Sequence, residues 1–271
     1  MIYDLKEKIV VVTGASSGIG KALAEEALSR GAKVAVCARS IDKLKSLFKE
    51  SDRLFCYKAD VSVEADCKAF MDAVIKRFGG VDVLVCNAGI SMRALFEDVD
   101  LAVIKELMDV NFWGAVYCTK YALPSVLERK GAIVGVSSIA GYRGLPGRTG
   151  YSASKHAMQG FLESLRTELL HSGVHVMWVS PGFTASNIRN VARSNDGSAQ
   201  GETPLEENKL MTAEVCARII LDGLAKRKRT VVMTTQGNMA VWLNKLFPGI
   251  ADKLVYKHFL KEPDSPLRKR K

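Results

Sequence analysis

Residues 9–20 read IVVVTGASSGIG: five apolar or β-branched residues from Ile9 to Thr13, then a turn with glycine at Gly14, Gly18 and Gly20. An apolar run this short, closed by glycine, fits a strand buried on both faces, as strands of a parallel sheet are. From Ile19 to Arg30 the apolar residues recur at helical spacing, so the unit is strand, glycine turn, helix. Glycine in such a turn lets backbone approach a pyrophosphate closely, and the helix N-terminus adds unpaired N–H groups and the positive end of its dipole. Gly14, Ser16, Ser17, Gly18, Ile19 and Gly20 are therefore candidate phosphate-binding positions. The spacing is GxxxGxG, not the commoner GxGxxG fingerprint, and taken alone it also suits a purely structural turn.

Working outward, the same alternation continues. Strands are expected at Ile9–Thr13, Lys33–Ala38, Leu54–Lys58, Val81–Cys86, Ala132–Ser137, His175–Val179 and Thr230–Thr234. Helices are expected at Ile19–Arg30, Asp42–Glu50, Glu64–Phe78, Leu101–Leu127, Ser152–Leu170 and Thr212–Lys226. Gly31, Gly79, Gly131 and Gly173 fall where helices should end. Alternating βα units predict an α/β fold: one doubly wound parallel sheet with helices on both faces, in a single domain over residues 1–237. Ligands then bind beyond the carboxyl ends of the strands.

Bulk composition narrows the class. The chain has 271 residues, 48% of them hydrophobic, enough for one α/β domain with a sizeable core. Its net charge is +10, partly from the runs Lys226–Arg229 and Arg268–Lys271, but no nucleic-acid motif or aromatic-interleaved basic stripe accompanies them. Nucleic acid is not an expected partner. Six cysteines without a CxxC read as small buried hydrophobes in a reducing compartment, and four scattered histidines without HExxH give no metal site. No secretory segment and no stretch of about 20 apolar residues is present, so the expected location is the cytoplasm.

Two segments break the alternation. Residues 182–210 are long, polar and helix-poor, which suits a lid over a substrate site. Residues 238–271 mix Met239, Trp242, Leu246, Ile250, Leu254 and Phe259 with Lys245, Lys253 and Lys257. This basic amphipathic extension reads either as one or two helices packed on the domain or a neighbouring subunit, or as a peripheral membrane contact.

The end of the second strand distinguishes between nucleotides. NAD sites place an acid there to hold the ribose 2′-hydroxyl; here stand Ala38, Arg39 and Ser40. An arginine without a neighbouring carboxylate suits a 2′-phosphate, which favours NADP(H) over NAD(H), against the alternative of a solvated surface arginine. Asp60 and Val61 after the third strand are candidates for adenine contact, and Asn87, Ala88 and Gly89 after the fourth for the cofactor cleft.

Tyr151 and Lys155 are four apart at the start of a helix, so both project from one face. A tyrosine with a pKa near 10 is a poor base at neutral pH, and an adjacent ammonium lowers that value. Ser138, after the fifth strand, can hydrogen-bond a substrate oxygen as charge develops on it. Out of context, YxxxK on a helix reads first as a surface pair.

TGxxxGxG at 13–20, NAG at 87–89, Asn111, Ser138, YSASK at 151–155 and Pro181-Gly182 stand together in the order and spacing of the short-chain dehydrogenase/reductase family, which the chain resembles over residues 5–235. The first residue of the family's usual NNAG is Cys86 here. The resemblance implies a Rossmann-like, seven-stranded sheet and a catalytic tetrad of Asn111, Ser138, Tyr151 and Lys155. It makes Tyr151 the general acid/base and Ser138 the group that orients substrate. Lys155 binds the nicotinamide ribose and tunes Tyr151, and Asn111 holds a relay water. Pro181, Gly182, Phe183, Thr184 and Ser186 match the segment lying against the nicotinamide and phosphates. A homodimer or homotetramer packed through Leu101–Leu127 and Ser152–Leu170 is also implied. The Ser180-Pro-Gly-Phe-Thr184 run and the basic extension look closest to hydroxysteroid-dehydrogenase-like members.

Expected pocket walls are Ile90, Ser91, Arg93, Ala140, Tyr142, Arg143 and Phe183. The expected activity is reversible NADP(H)-dependent hydride transfer to a carbonyl or from a secondary alcohol. The substrates considered are steroid-like, xenobiotic or 3-oxoacyl-thioester carbonyls. A non-catalytic NADP-binding sensor or scaffold is the alternative.

Overall fold

The computed structural model describes residues 3–184, 188–201 and 210–270. In chain order the elements are β1 (Ile9–Thr13), α1 (Gly18–Ser29), β2 (Lys33–Ala38), α2 (Ile41–Leu47), β3 (Leu54–Lys58), α3 (Glu64–Phe78), β4 (Val83–Cys86) and α4 (Leu101–Met108). There follow α5 (Gly114–Glu128), β5 (Ala132–Val136), α6 (Thr149–Glu168), β6 (His175–Ser180), α7 (Ala213–Ala225), β7 (Thr230–Val232), α8 (Thr235–Leu246) and α9 (Pro248–Leu260). The strands form one seven-stranded sheet in the order β3-β2-β1-β4-β5-β6-β7, every neighbour parallel.

All five residues of β1 are buried, as its unbroken apolar run requires of a central strand with helices on both sides. Successive side chains enter opposite layers. Val10 and Val12 pack with Leu23 of α1, Leu44 of α2 and Ile220 of α7. Ile9 and Val11 pack with Phe70 of α3, Cys118 of α5 and Leu162 of α6. Truncating a buried aromatic such as Phe70 to alanine costs about 3–5 kcal/mol, so either layer is sensitive to one cavity. All six cysteines are buried and free.

Helix ends follow the local chemistry. Gly79 closes α3 at φ +87°, a left-handed conformation that glycine adopts without strain, and its N–H reaches the Ile75 carbonyl at 2.8 Å. The expected single helix over Leu101–Leu127 is instead α4 and α5 joined by a π-helical turn, Asp109–Trp113. One inserted residue widens the turn while the amphipathic pattern runs on, which is why periodicity alone reads a continuous helix.

The long connection after β6 is stitched to the segment after β4. Arg193 N–H donates to the Ser91 carbonyl at 2.8 Å, and the Arg93 N–H donates to the Arg193 carbonyl at 2.9 Å. The Arg193 guanidinium grips Glu106 of α4 through two bonds of 2.5 and 2.8 Å. Helices α8 and α9 form the bulk of the extension. They are held to the rest by Asn244 Nδ2 on the Tyr142 carbonyl (3.0 Å), by the Arg143–Asp252 pair, and by Glu262 beyond α9. Among the described residues no helix is long and apolar enough to cross a membrane.

Candidate active site

The strand order reverses between β1 and β4, and the chain leaves these two strands toward opposite faces of the sheet. A crevice therefore opens at their carboxyl ends, where open parallel sheets bind ligands. The cleft there measures about 420 Å³, within the range of small-molecule sites.

Its floor is the glycine turn. Gly14 has φ +69°, and a Cβ there would lie 2.7 Å from the Ala88 Cα. A Cβ on Gly20 would collide with the Gly14 carbonyl and Asn87 Nδ2. Asn87 braces this packing: its Nδ2 donates to the Thr13 carbonyl at 2.9 Å and to the Gly14 carbonyl at 3.2 Å. The amides of Asn87 and Ala88 both donate to the Thr13 hydroxyl, at 3.1 and 3.0 Å. The turn is thus fixed in the shape that brings its backbone to the cleft. Ser17 caps α1 in extended conformation without a side-chain cap bond. Ser16, Ser17, Gly18, Ile19 and Gly20 line the cleft, so the N–H groups of the first helical turn are available to an anion there.

Arg39, Asp60 and Val61 line the neighbouring rim. Ser40 does not; its hydroxyl caps α2 by accepting from the Lys43 amide at 3.3 Å. Lys43 itself reaches the cleft, a second cation beside Arg39 that reading the strand end alone had missed. Asp60 accepts from the Ser62 amide and hydroxyl at 3.0 and 2.7 Å, which closes the turn after β3.

At the other end stand Ser138, Tyr151 and Lys155. Ser138 starts a short 3₁₀ turn, Ile139–Gly141, and its Oγ accepts from the Ala140 amide at 3.2 Å. The same hydroxyl also acts on the Tyr151 phenol, favouring its ionised form. One turn along α6, the Lys155 ammonium lies 5.8 Å from the centre of the Tyr151 ring and donates to the Val136 carbonyl at 2.9 Å. Burial pushes this lysine down to about 8. It also pushes Tyr151 above its ordinary value, with the Ser138 hydroxyl and the Arg148 and Arg189 guanidiniums acting in the opposite direction. For the protein's own groups alone the phenol is therefore raised; the expected lowering by Lys155 together with the nicotinamide charge belongs to the loaded cleft. Desolvation outweighs the opposing charges.

Asn111 sits in the π-helical turn, fully buried behind the cleft rather than on its wall. Its Oδ1 accepts from the Ile90 amide at 2.8 Å, and its Nδ2 donates to the Ile90 carbonyl at 3.0 Å and Ser154 Oγ at 2.9 Å. Gly89 lies between this side chain and Lys155: a Cβ there would be 3.1 Å from Asn111 Oδ1 and 3.4 Å from Lys155 Nζ. The π turn thus anchors the segment after β4 against α6.

Ile90, Ser91, Pro181, Gly182, Phe183 and Thr184 line the cleft as expected; Ser186 lies outside the described residues. Ala140, Tyr142, Arg143 and Arg93 do not line it. The 3₁₀ turn buries Ala140 and carries Tyr142 to Trp178, whose Nε1 donates to the Tyr142 hydroxyl at 2.8 Å. Arg143 turns to Asn244 and Asp252, and Arg93 to Glu262. Leu145, Arg148 and Val191 are walls that the sequence reading missed. Arg148 was detectable, since it stands three residues before Tyr151, on the face that carries Tyr151 and Lys155. Its guanidinium lies 4.6 Å over the Phe259 ring and binds both oxygens of buried Glu262, at 3.1 and 3.2 Å.

A family model for the short chain dehydrogenases matches residues 8–197, in agreement with the fold and with the cleft just described. The chain belongs to the short-chain dehydrogenase/reductase family, whose members are oxidoreductases. It is similar to dehydrogenase/reductase SDR family member 7B of Mus musculus, 35% identical over 271 residues, covering 96% of this chain and 84% of that protein. It is also similar to 11-beta-hydroxysteroid dehydrogenase-like 4A of Arabidopsis thaliana, 37% identical over 247 residues, covering 89% and 81%. Among solved structures, a short-chain dehydrogenase from Streptomyces avermitilis superposes with a TM-score of 0.81 at 27% identity, covering 93% of this chain and 97% of that one.

Proposed function

We propose that the protein catalyses reversible NADP(H)-dependent hydride transfer between nicotinamide and a carbonyl or secondary alcohol. The observation that carries this reading is one cleft holding Ser138, Tyr151 and Lys155 at one end and the glycine turn with Arg39 and Lys43 at the other. The cleft fits the dinucleotide: close backbone at Gly14 and Gly20, a helix N-terminus for the pyrophosphate, and two cations with no acid at the end of β2. Bound there, NADPH supplies the hydride.

The residues do the rest. Arg39 and Lys43 hold the 2′-phosphate, and Asp60 and Val61 border the adenine. Pro181, Gly182, Phe183 and Thr184 close over the nicotinamide end. Ser138 donates to the substrate oxygen, stabilising the charge that develops on it. Tyr151, a neutral phenol at neutral pH, gives its proton to that oxygen during reduction; in oxidation it first releases that proton to the relay and takes the alcohol's proton as the phenolate. Lys155 holds the nicotinamide ribose, and Asn111, set behind Lys155, holds the water that returns the proton.

The hydroxysteroid name of the Arabidopsis relative favours steroid-like or other bulky apolar carbonyls over 3-oxoacyl thioesters. Exposed Leu101, Trp113 and Leu127 on α4, the π turn and α5 support a homo-oligomer packed on that side. The test is consumption of NADPH and NADH by the purified protein with ketosteroids, aldehydes, quinones and 3-oxoacyl thioesters. Turnover with NADPH on one class supports the proposal. Tight NADPH binding with no turnover on any class contradicts the catalytic reading and favours a sensor or scaffold.

A further inference from the structure

The strongest feature outside the cleft is the outer face of α8 and α9. Met239, Trp242 and Leu246 form a stripe along α8, Phe247 stands at the corner, and Ile250 and Leu254 continue it on α9; every one is more than half exposed. A contiguous set of large apolar side chains turned to water on two adjoining helices marks an interaction surface, unlike single scattered exposures. Apart from Asp252, which pairs with Arg143, its charges are lysines. Exposed Lys245 flanks the α8 stripe, and Lys253 and Lys257 stand three residues after Ile250 and Leu254, hence beside them on α9. The acid of this segment, Asp252, is taken by Arg143, and Glu262 beyond it is buried between Arg93 and Arg148.

We propose that this face rests on an anionic lipid surface, with the apolar stripe in the acyl boundary and the lysines at the headgroups. Charge decides against a second copy of the chain. A two-fold contact sets the same patch against itself, so a face charged by Lys245, Lys253 and Lys257 would meet another of the same sign, its one acid, Asp252, being already paired with Arg143. Anionic headgroups complement the lysines, and their long aliphatic stems let the ammonium reach that level while the neighbouring apolar side chains stay buried.

The face adjoins the cleft. His258 of α9 stacks on Phe183, ring centres 6.3 Å apart and planes 21° from parallel, and Phe183 lines the cleft. Arg148 on the cleft wall holds Glu262, two residues past α9. A membrane under α8 and α9 therefore lies next to the cleft mouth, so an apolar substrate dissolved in lipid reaches the cleft along a short path. The lipid contact stands independently of the cofactor assignment, because its readout is binding and not turnover.

The experiment is co-sedimentation of the full chain with phosphatidylcholine vesicles, with and without phosphatidylserine. It compares wild type with Trp242→Gln/Leu254→Gln and with Lys253→Gln/Lys257→Gln. All four positions are exposed, so unchanged circular-dichroism melting and NADPH binding confirm that the variants are folded. Wild type is expected to sediment with the phosphatidylserine vesicles. The lysine variant should bind at least about 10-fold more weakly, and the apolar variant should stay in solution. Failure of wild type to sediment, or equal sedimentation of all three proteins, overturns the proposal. So does a wild type that stays off vesicles but is a larger oligomer in solution than Trp242→Gln/Leu254→Gln, since the face would then join copies of the chain.

Discussion

Thr13 and Asn87, 74 positions apart, hold the ends of β1 and β4 together at the floor of the cleft: the Thr13 hydroxyl accepts the Asn87 amide at 3.1 Å. Asn87 Nδ2 returns a bond to the Thr13 carbonyl at 2.9 Å. The hydroxyl also accepts the Ala88 amide, so one buried oxygen satisfies two backbone donors.

Thr13→Val keeps the shape and removes that acceptor, leaving both amides without it. The expected loss is about 1–3 kcal/mol of stability, measured by denaturant unfolding, together with weaker NADPH binding as the glycine turn loosens. Thr13→Ser, which keeps the oxygen, should bind NADPH nearly as wild type does. A valine variant as stable and as tight as wild type would show that these bonds add nothing.

Arg39 is expected to determine which nucleotide is bound. Arg39→Ala removes a charge-assisted contact to the 2′-phosphate, and at about 1.5–3 kcal/mol for such bonds NADPH should bind about 10- to 100-fold more weakly. NADH binding should barely change. Lys43→Ala should shift the same ratio by less, since Lys43 lacks the planar fork of the guanidinium. Equal effects on both nucleotides, measured by titration calorimetry, would contradict the NADP(H) assignment.

His175, at the start of β6, gives a pH signature. Its Nε2 meets the Lys228 carbonyl at 3.1 Å, and burial with the nearby Arg227 charge lowers its pKa to about 4, from an ordinary 6.5. Between those values the unfolded chain binds the proton and the folded chain does not, so stability rises with pH across the window. The contribution is complete above 6.5 and is lost as pH falls toward 4. His175→Gln keeps a donor for Lys228 but does not titrate. The melting temperature of this variant should vary less between those two values than that of wild type; an unchanged slope would assign it to other groups.

Most of the scaffold was legible in the sequence because a doubly buried strand has an unambiguous signature. IVVVT became β1 with the expected ends, and KVAVCA became β2. Less legible were features that depend on geometry away from the chain's own repeat. The π turn at Asp109–Trp113 lies inside an amphipathic pattern that a helix would share. Tyr142 and Arg143 follow Ser138 closely in sequence, yet the 3₁₀ turn directs them to Trp178 and Asp252. Arg148 and Lys43 reach the cleft through helix facing, which spacing could have revealed, whereas the pairing of Arg148 with Glu262 spans 114 positions and has no local signal. The sign of the Tyr151 shift was not legible, because it depends on burial that only the packed cleft defines.

The most direct test of the central claim is Tyr151→Phe, assayed for turnover with the carbonyl substrate found active and for NADPH affinity by fluorescence titration. The phenyl ring keeps the packing beside Lys155 and removes only the hydroxyl. The account predicts turnover at least about 100-fold lower, as for a lost general acid, with NADPH affinity close to wild type. Turnover comparable to wild type would contradict the acid/base role of Tyr151 and with it the proposed chemistry of the cleft.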